Sequence, residues 1–147
     1  MPLSEVKAHW PEDVVEVVVD GIPATKGSPR YLLDEDLDAL RQSTVSVRSS
    51  LVLLGPFDPY LQTRDRELLA GSAAHRKALW PVLGRPGAMV LDGEVIATWR
   101  PKTTSGKLTI RLEPWTKLAG KVRDRIGEQC DRLAQHRGVV LTSVVDE

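Results

Sequence analysis

The fold is indicated most clearly by residues 87 to 114, which read GAMVLDGEVIATWRPKTTSGKLTIRLEP. The pair Asp92-Gly93 separates two β-rich runs, and it favours a two-residue hairpin because both turn positions require positive φ. After a loop KTTSG, the run 107–114 alternates, with Leu108, Ile110 and Leu112 on one face. Together these features predict at least three antiparallel strands in succession.

A long amphipathic helix is predicted after these strands, from about residue 117 to residue 136. Its apolar positions follow one another at spacings of four and three, which gives a stripe that can cover one face of the sheet. Gly138 ends the helix, and VVLTSVV can return as a final strand. We therefore expect an α+β fold, an antiparallel sheet or small barrel with packed helices. The stripe consists of Leu118, Val122, Ile126, Cys130 and Leu133.

The first 48 residues predict a separate, smaller module. LSEVKAHW and DEDLDALRQS have the pattern of helices, and VVEVVVDG and YLL that of strands between them. Helix, strand, short strand and helix are too little to bury a core alone. We predict two domains, residues 1–48 and a β-rich domain of residues 49–147 that includes the amphipathic helix.

Charge is unevenly distributed although the formal net charge is zero. Residues 1–63 hold five Lys or Arg against ten Asp or Glu, residues 64–111 hold nine against four, and residues 112–147 hold six against six. A basic middle segment suits an anionic partner that is met by one face of the molecule. The apolar runs are strand-sized, no secretory signal is visible, and the single cysteine forms no internal disulfide, so we expect a cytoplasmic protein.

A basic hairpin is the first candidate for binding a partner, because residues 98 to 111 contain four cations and no acidic side chain. If the apolar residues of 107–114 pack inward beside Val95 and Trp99, the cations and Thr98 project from the outer face. The helix AHRKALW supplies two further cations. Both patterns fit phosphate contacts in duplex DNA and equally fit solvated surface charge. The candidate DNA-binding residues are Arg100, Lys102, Lys107, Arg111, Arg76 and Lys77.

Catalytic and metal-binding patterns are weak. His9, His75 and His136 lack metal-ligand spacing, and Cys130 at an apolar helix position is more typical of a core residue than of a nucleophile. The sequence shows no phosphate-binding loop, dinucleotide fingerprint or nucleophile elbow. We expect no metal ion and no cofactor.

Several short stretches in one order resemble a known family between about residue 30 and residue 138. They are similar to the C-terminal part of the bacterial winged-helix DNA-binding proteins that include the alkylpurine and crosslink DNA glycosylases. The matching stretches are YLLDEDLDAL, GPFDPYLQTRDR, AHRKALW, GRPGAMVLDGEVIATWRP, KLTIRLEPW and LAQHRG.

The resemblance implies winged helices around duplex DNA that end in a β-barrel-like domain, with residues 1–48 as a partial winged-helix module. Glycosylases of the family carry a Gln-x-Gln or Gln-x-Asp motif in an upstream portion that this chain lacks. Gln129-Cys130-Asp131 has that spelling but falls in the amphipathic helix, and we interpret it as coincidence. We therefore expect a DNA-binding module that is not an enzyme by itself.

Two alternatives stay open. The chain can be a structural remnant that forms a homodimer or pairs with a partner chain through exposed apolar surface. It can also be a fragment of an alkyl-base DNA glycosylase.

Overall fold

The structure, a computed structural model, describes residues 3–19, 29–42, 49–63 and 66–146. The chain divides into an N-terminal unit, Met1–Ser46, and a C-terminal unit, Val47–Glu147. Within the described residues no helix is both long and apolar enough to cross a membrane.

The N-terminal unit has the predicted order of helix, strand, strand and helix. Its strands β1 and β2 are antiparallel, with Val14 opposite Leu33. The rings of Trp10 and Tyr31 meet edge to face with centroids 4.9 Å apart. The assignment of this unit as part of a winged helix stays a prediction. The elements are α1 (Leu3–Ala8), β1 (Val14–Val17), β2 (Arg30–Leu33) and α2 (Asp34–Gln42).

The C-terminal unit is built on one five-stranded sheet with the strand order β3-β4-β5-β6-β7. A 3-10 helix and two short helices follow the first strand, and the long amphipathic helix precedes the last. The elements are β3 (Leu51–Leu54), the 3-10 helix Pro59–Gln62, α3 (Arg66–Leu69), α4 (Ala73–Leu79), β4 (Gly87–Leu91), β5 (Glu94–Thr104), β6 (Lys107–Pro114), α5 (Gly120–His136) and β7 (Val140–Asp146).

The predicted α+β class is confirmed, and the sheet is open. Strands β3 to β6 are antiparallel, but β7 pairs in parallel with β6 and lies at the edge opposite β3. The parallel pairing follows from α5, because a helix that crosses over between two strands returns the chain in the same direction. The alternative of a closed small barrel is therefore wrong.

The β4–β5 turn and the β5–β6 turn each have two residues. Asp92 and Gly93 have φ values of 52° and 89°, as the sequence predicts. The predicted loop KTTSG is shorter than expected, because Ser105 and Gly106, with φ values of 48° and 74°, form the second turn alone. Lys102 consequently lies inside β5 and not in a loop.

The face of β6 that carries Leu108, Ile110 and Leu112 forms the larger core against α5. These three side chains are at most 1% exposed, and α5 contributes Ile126 and Cys130 to the same cluster. Each large apolar side chain buried in this way stabilises the fold by about 1.5–3 kcal/mol. The predicted stripe is confirmed as the face of α5 that packs on the sheet, but Leu118 precedes the first residue of this helix, Gly120, and packs in the cluster from outside it.

The opposite face of the sheet is covered only in part. A second cluster joins Leu61 of the 3-10 helix and Leu79 of α4 to Ala88, Val90 and Val95. This cluster lies over β4 and the start of β5, which leaves the distal half of β5 and β6 exposed on that face.

A β-bulge corrects one expectation about β5. Met89 pairs with Ala97 but Val90 pairs with Val95, so β5 has one extra residue at this point. Val95 therefore joins the second cluster, whereas Trp99 packs in the larger core. The prediction that these two side chains share a face is wrong, because a one-residue shift moves a side chain to the other side of the sheet.

Trp99 also joins three strands. Its indole Nε1 donates a hydrogen bond to the carbonyl of Leu54 at 3.0 Å, and the ring passes over Gly87 on β4, the strand between. A Cβ atom at Gly87 would overlap both the Leu54 carbonyl and the Trp99 indole. The absence of a side chain at this position therefore makes the contact possible.

We predict that Gly87→Ala lowers the free energy of unfolding by about 1–3 kcal/mol, because the indole must move away from Leu54. Gly127→Ala, in the middle of α5 where an added Cβ has open space, serves as the control. That control should raise stability by about 0.5–1 kcal/mol. Urea denaturation measures both, and equal effects of the two variants would contradict this account.

An ion pair ties α5 to β7. Arg123 donates from both terminal nitrogens to the carboxylate of Asp146, at 3.1 and 2.5 Å. Hydrogen bonding from Arg123 lowers the pKa of Asp146, and the same contact raises the pKa of Arg123. Because both side chains are 40% exposed or more, solvent screens the pair and it stabilises the fold only weakly.

We predict that Asp146→Asn lowers the free energy of unfolding at pH 7 only slightly, because solvent screens the pair. A carboxylate whose pKa is lowered by folding stabilises the fold above its unfolded pKa of about 3.9, and this contribution is lost as pH falls through the lower folded pKa. The difference in free energy of unfolding between Asp146→Asn and wild type should therefore become smaller as the pH falls from 7 to 3. A constant difference over this range, or an equal effect of Asp124→Asn, would argue against the pair.

Candidate nucleic-acid interface

The four cations predicted on the hairpin lie on one face of the sheet. Arg100 is directly opposite Arg111, and Lys102 is opposite Thr109. Lys107 is opposite Thr104, and Thr104 is two residues after Lys102 on β5. Residues that pair directly, and residues two apart on one strand, project to the same side. We call Arg100, Lys102, Lys107 and Arg111 the basic face; it lies on the side of β5 and β6 away from α5.

Three members of the basic face line a shared groove of about 480 Å³. Lys102, Lys107 and Arg111 are exposed and contribute the positive charge of this groove. Hydroxyl groups separate the cations, and Ser143 on β7 donates a hydrogen bond to Thr109 at 3.5 Å. Among the described residues, no carboxylate lines the groove. The hydroxyl-bearing residues of the lining are Thr104, Ser105, Thr109 and Thr142.

Cations interleaved with hydroxyls are the side chains that bind phosphate oxygens on a nucleic-acid backbone. Lysine supplies a mobile point charge, whereas arginine supplies a planar set of donors that matches two phosphate oxygens. The open shape of the groove and its position along two long strands suit an extended polyanion.

Arg100 lies apart from the other three. It donates from one terminal nitrogen to the carbonyl of Gly84 at 2.5 Å and lines a second cleft of about 400 Å³. Arg85 and Arg137 line the same cleft. Sequence analysis missed these two arginines, because one precedes β4 and the other follows α5, and only the tertiary fold brings them together. We call this recess the arginine cleft.

The basic face ends where the second cluster covers the sheet. Thr98 shares the side of the sheet with Arg100, as expected, but it is only 1% exposed. Its hydroxyl donates to the Glu113 carboxylate at 3.0 Å. Thr98 is therefore a buried structural residue, and the expectation that it projects outward is wrong.

Arg76 and Lys77 have different surroundings although they are adjacent on α4. The Arg76 guanidinium donates to the carbonyls of Ala70 and Gly71, at 3.0 and 2.7 Å, and so closes the connection between α3 and α4. Lys77 is exposed. Their neighbour His75 stacks on Trp115 with ring centroids 4.1 Å apart.

The fold explains the pKa shift of the one cysteine and the positions of its neighbours on α5. Burial raises the pKa of the Cys130 thiol to about 11, which keeps it protonated and unreactive at neutral pH. Gln129 and Asp131 are two residues apart on α5, so their side chains point away from each other and do not converge on one substrate atom. Among the described residues no cluster of His, Cys, Asp or Glu has the geometry of a metal site.

Comparison with known proteins assigns the chain to a family. The family model described as DNA glycosylase AlkZ-like matches residues 1–136. The chain therefore belongs to the AlkZ-like DNA glycosylase family. No curated protein matches the chain.

A solved structure supports the fold. The chain is similar to Streptomyces sahachiroi DNA glycosylase AlkZ, with a TM-score of 0.61 and 23% sequence identity. The match covers 92% of this chain and 34% of that chain, so this chain spans about a third of the length of that relative.

The family assignment confirms the predicted resemblance to DNA glycosylases and corrects one prediction. The expectation that the chain is not an enzyme is wrong, because the matching family is one of DNA glycosylases. That expectation came from the absence of an upstream motif, which is not a test of family membership. The winged-helix assignment, the domain limits, the DNA-binding residues and a cytoplasmic location stay predictions.

We predict that Arg76→Gln lowers the free energy of unfolding by about 1.5 kcal/mol or more, because two carbonyls lose a charged donor. Lys77→Gln, at the adjacent exposed position, should change it by less than about 0.5 kcal/mol. Thermal or urea denaturation checks both. If the two variants are equally stable, Arg76 does not close the α3–α4 connection.

Proposed function

We propose that this chain acts as the part of an AlkZ-like DNA glycosylase that holds duplex DNA, with its basic face against the sugar–phosphate backbone. The observation that supports this most directly is the groove whose lining brings Lys102, Lys107 and Arg111 together with four hydroxyl-bearing residues. Membership of a DNA glycosylase family makes DNA the polyanion to which this surface is best suited.

The basic face is suited to positioning the duplex more than to reading its sequence. Backbone contacts from lysine, arginine and hydroxyl groups fix register and orientation without reporting base identity. The apolar side of β6 is packed against α5, so Lys107 and Arg111 project from a rigid support. Rigidity matters because an enzyme that acts on one base must hold the flanking backbone in a fixed position.

The chemistry of a DNA glycosylase requires the target base outside the stack and a group that activates water next to the glycosidic bond. Within the described residues, the shifted pKa values arise from burial at Cys130 and from the Arg123–Asp146 ion pair. The contribution that we propose for the basic face is therefore the binding and orientation of the substrate. The substrate itself is a duplex that contains the base to be removed.

A second candidate function is supported by exposed apolar side chains. Phe57, Val82 and Leu83 are 74%, 98% and 86% exposed, and the Arg85 guanidinium lies 6.0 Å from the centroid of the Phe57 ring. Exposed aliphatic and aromatic groups of this kind are typical of surfaces that bind another chain. The chain could thus pair with a protein partner or with a second copy of itself.

We predict that the double variant Lys102→Gln and Lys107→Gln weakens duplex binding and lowers the slope of log K against log salt by about two, since each phosphate neutralised contributes about 0.9. Fluorescence anisotropy with a labelled duplex at several salt concentrations measures this slope. The loss should be the same for unrelated sequences, because backbone contacts are not base-specific.

The matched control is Lys121→Gln with Arg132→Gln, which removes two exposed charges from α5 on the other side of the sheet. This control should leave the slope within about half a unit of wild type. An equal loss in both double variants would mean that net charge alone governs binding. Absence of duplex binding, together with concentration-dependent self-association in sedimentation, would favour the second candidate.

A further inference from the structure

The arginine cleft concentrates positive charge in a recess. Arg85, Arg100 and Arg137 all line it, and among the described residues no carboxylate does. Three arginines around one recess make its local potential positive, and a positive potential attracts an anion. The cleft is therefore a site whose electrostatics favour an anionic ligand.

The fold holds the arginines around the recess. The hydrogen bond from Arg100 to the Gly84 carbonyl fixes its guanidinium at the loop that contains Arg85. Arg137 directly follows α5, where its backbone N–H donates to the carbonyl of Leu133 at 3.0 Å. The remaining walls include Pro56, Pro86 and Pro101, residues with restricted backbones. The backbone around the recess and the Arg100 side chain are thus prearranged, which reduces the entropy lost when a ligand binds.

The number of arginines distinguishes between two kinds of phosphate. A phosphodiester inside a DNA strand carries one negative charge and two free oxygens. A terminal phosphomonoester offers three oxygens and a charge of about −1.5 to −2 at pH 7, because its second pKa is about 6. Arginine donors pair with phosphate oxygens two at a time, so a recess bordered by three arginines favours the monoester, with its third oxygen and higher charge, over the diester.

We propose that the arginine cleft binds a phosphomonoester dianion, such as the 5′-phosphate at a strand end or nick in duplex DNA. This rests on the proposed function in so far as the phosphate belongs to DNA. The same chemistry would admit inorganic phosphate as a free ligand. The groove lined by Lys102, Lys107 and Arg111 is separate from this site, since Arg100 lines the cleft and not the groove.

The test compares two nicked duplexes of identical sequence, one with a 5′-phosphate and one with a 5′-hydroxyl at the nick, by fluorescence anisotropy at pH 7.5. We expect the wild-type chain to bind the phosphorylated nick about tenfold more tightly, the size associated with gaining charge-assisted hydrogen bonds. The preference should shrink at pH 5.5, where the monoester loses part of its second charge. Equal affinity for the two duplexes at pH 7.5 overturns the DNA-end proposal.

The variant Arg85→Gln with Arg137→Gln removes two cleft arginines and leaves Arg100 with its structural hydrogen bond to Gly84. It should lose the preference for the phosphorylated nick while it keeps the salt-dependent binding of intact duplex. Arg85→Lys with Arg137→Lys retains the charge but lacks the planar guanidinium donors. We expect this variant to keep only part of the preference for the phosphorylated nick. If the glutamine variant retains the full preference, the cleft is not the site.

A measurement with inorganic phosphate tests the anion site independently of the proposed DNA-holding function. Inorganic phosphate should raise the midpoint of thermal unfolding of the wild-type chain and not that of the glutamine variant. If phosphate stabilises only the wild-type chain and the chain does not bind DNA, the anion site is supported and the DNA-holding function is refuted. Binding of intact duplex with neither a nick preference nor a phosphate effect supports the DNA-holding function and refutes the cleft proposal.

Discussion

The hydrogen bond from the Trp99 indole to the Leu54 carbonyl, made possible by Gly87, is the constraint on which the functional surface depends. It locks β3, β4 and β5 together at one end of the sheet. Because side chains alternate along a strand, burial of Trp99 on the α5 side directs Arg100 to the other side. Lys102 follows on that same side. The burial of one tryptophan thus sets the direction of the cations one and three residues further along β5.

The two sides of β5 and β6 have opposite chemistry. One side is apolar and packs against α5, and the other is basic and rich in hydroxyls. This arrangement explains how a chain with a formal net charge of zero can present a strongly positive surface, because its acidic residues are concentrated elsewhere in the sequence. In the C-terminal unit Lys107 and Arg111 project from β6, whose opposite face is buried at Leu108, Ile110 and Leu112. A surface of this kind loses little conformational entropy when it binds a polyanion.

Local patterns in the sequence predicted the elements well. Asp92-Gly93 marked the central hairpin, the spacing of Ile126 and Cys130 marked the face of α5, and alternation placed Lys107 and Arg111 opposite the core. Alternation failed at Val95, where the bulge between β4 and β5 adds one residue that no period-two pattern reveals. The correct predictions, of the hairpin, of the buried face of α5 and of the direction of the β6 cations, depended on neighbouring residues only.

Features that depend on distant parts of the chain were not predictable in this way. The parallel pairing of β7 is set by the crossover of α5, and the arginine cleft joins Arg85 and Arg137, which are 52 positions apart in sequence. Arg76 was a candidate for DNA binding on charge alone, yet its guanidinium binds two carbonyls of the preceding turn. Charge in a sequence shows what a residue can bind, and the fold decides whether the residue is already engaged.

Lysine footprinting tests most directly whether DNA occupies the basic face. The chain is treated with a lysine-acetylating reagent with and without saturating duplex DNA, and the modification of each lysine is quantified by mass spectrometry. The account predicts strong protection of Lys102 and Lys107 and unchanged reactivity of Lys121, which lies on α5 behind the sheet. Protection of Lys121 with continued reactivity of Lys102 and Lys107 would contradict it.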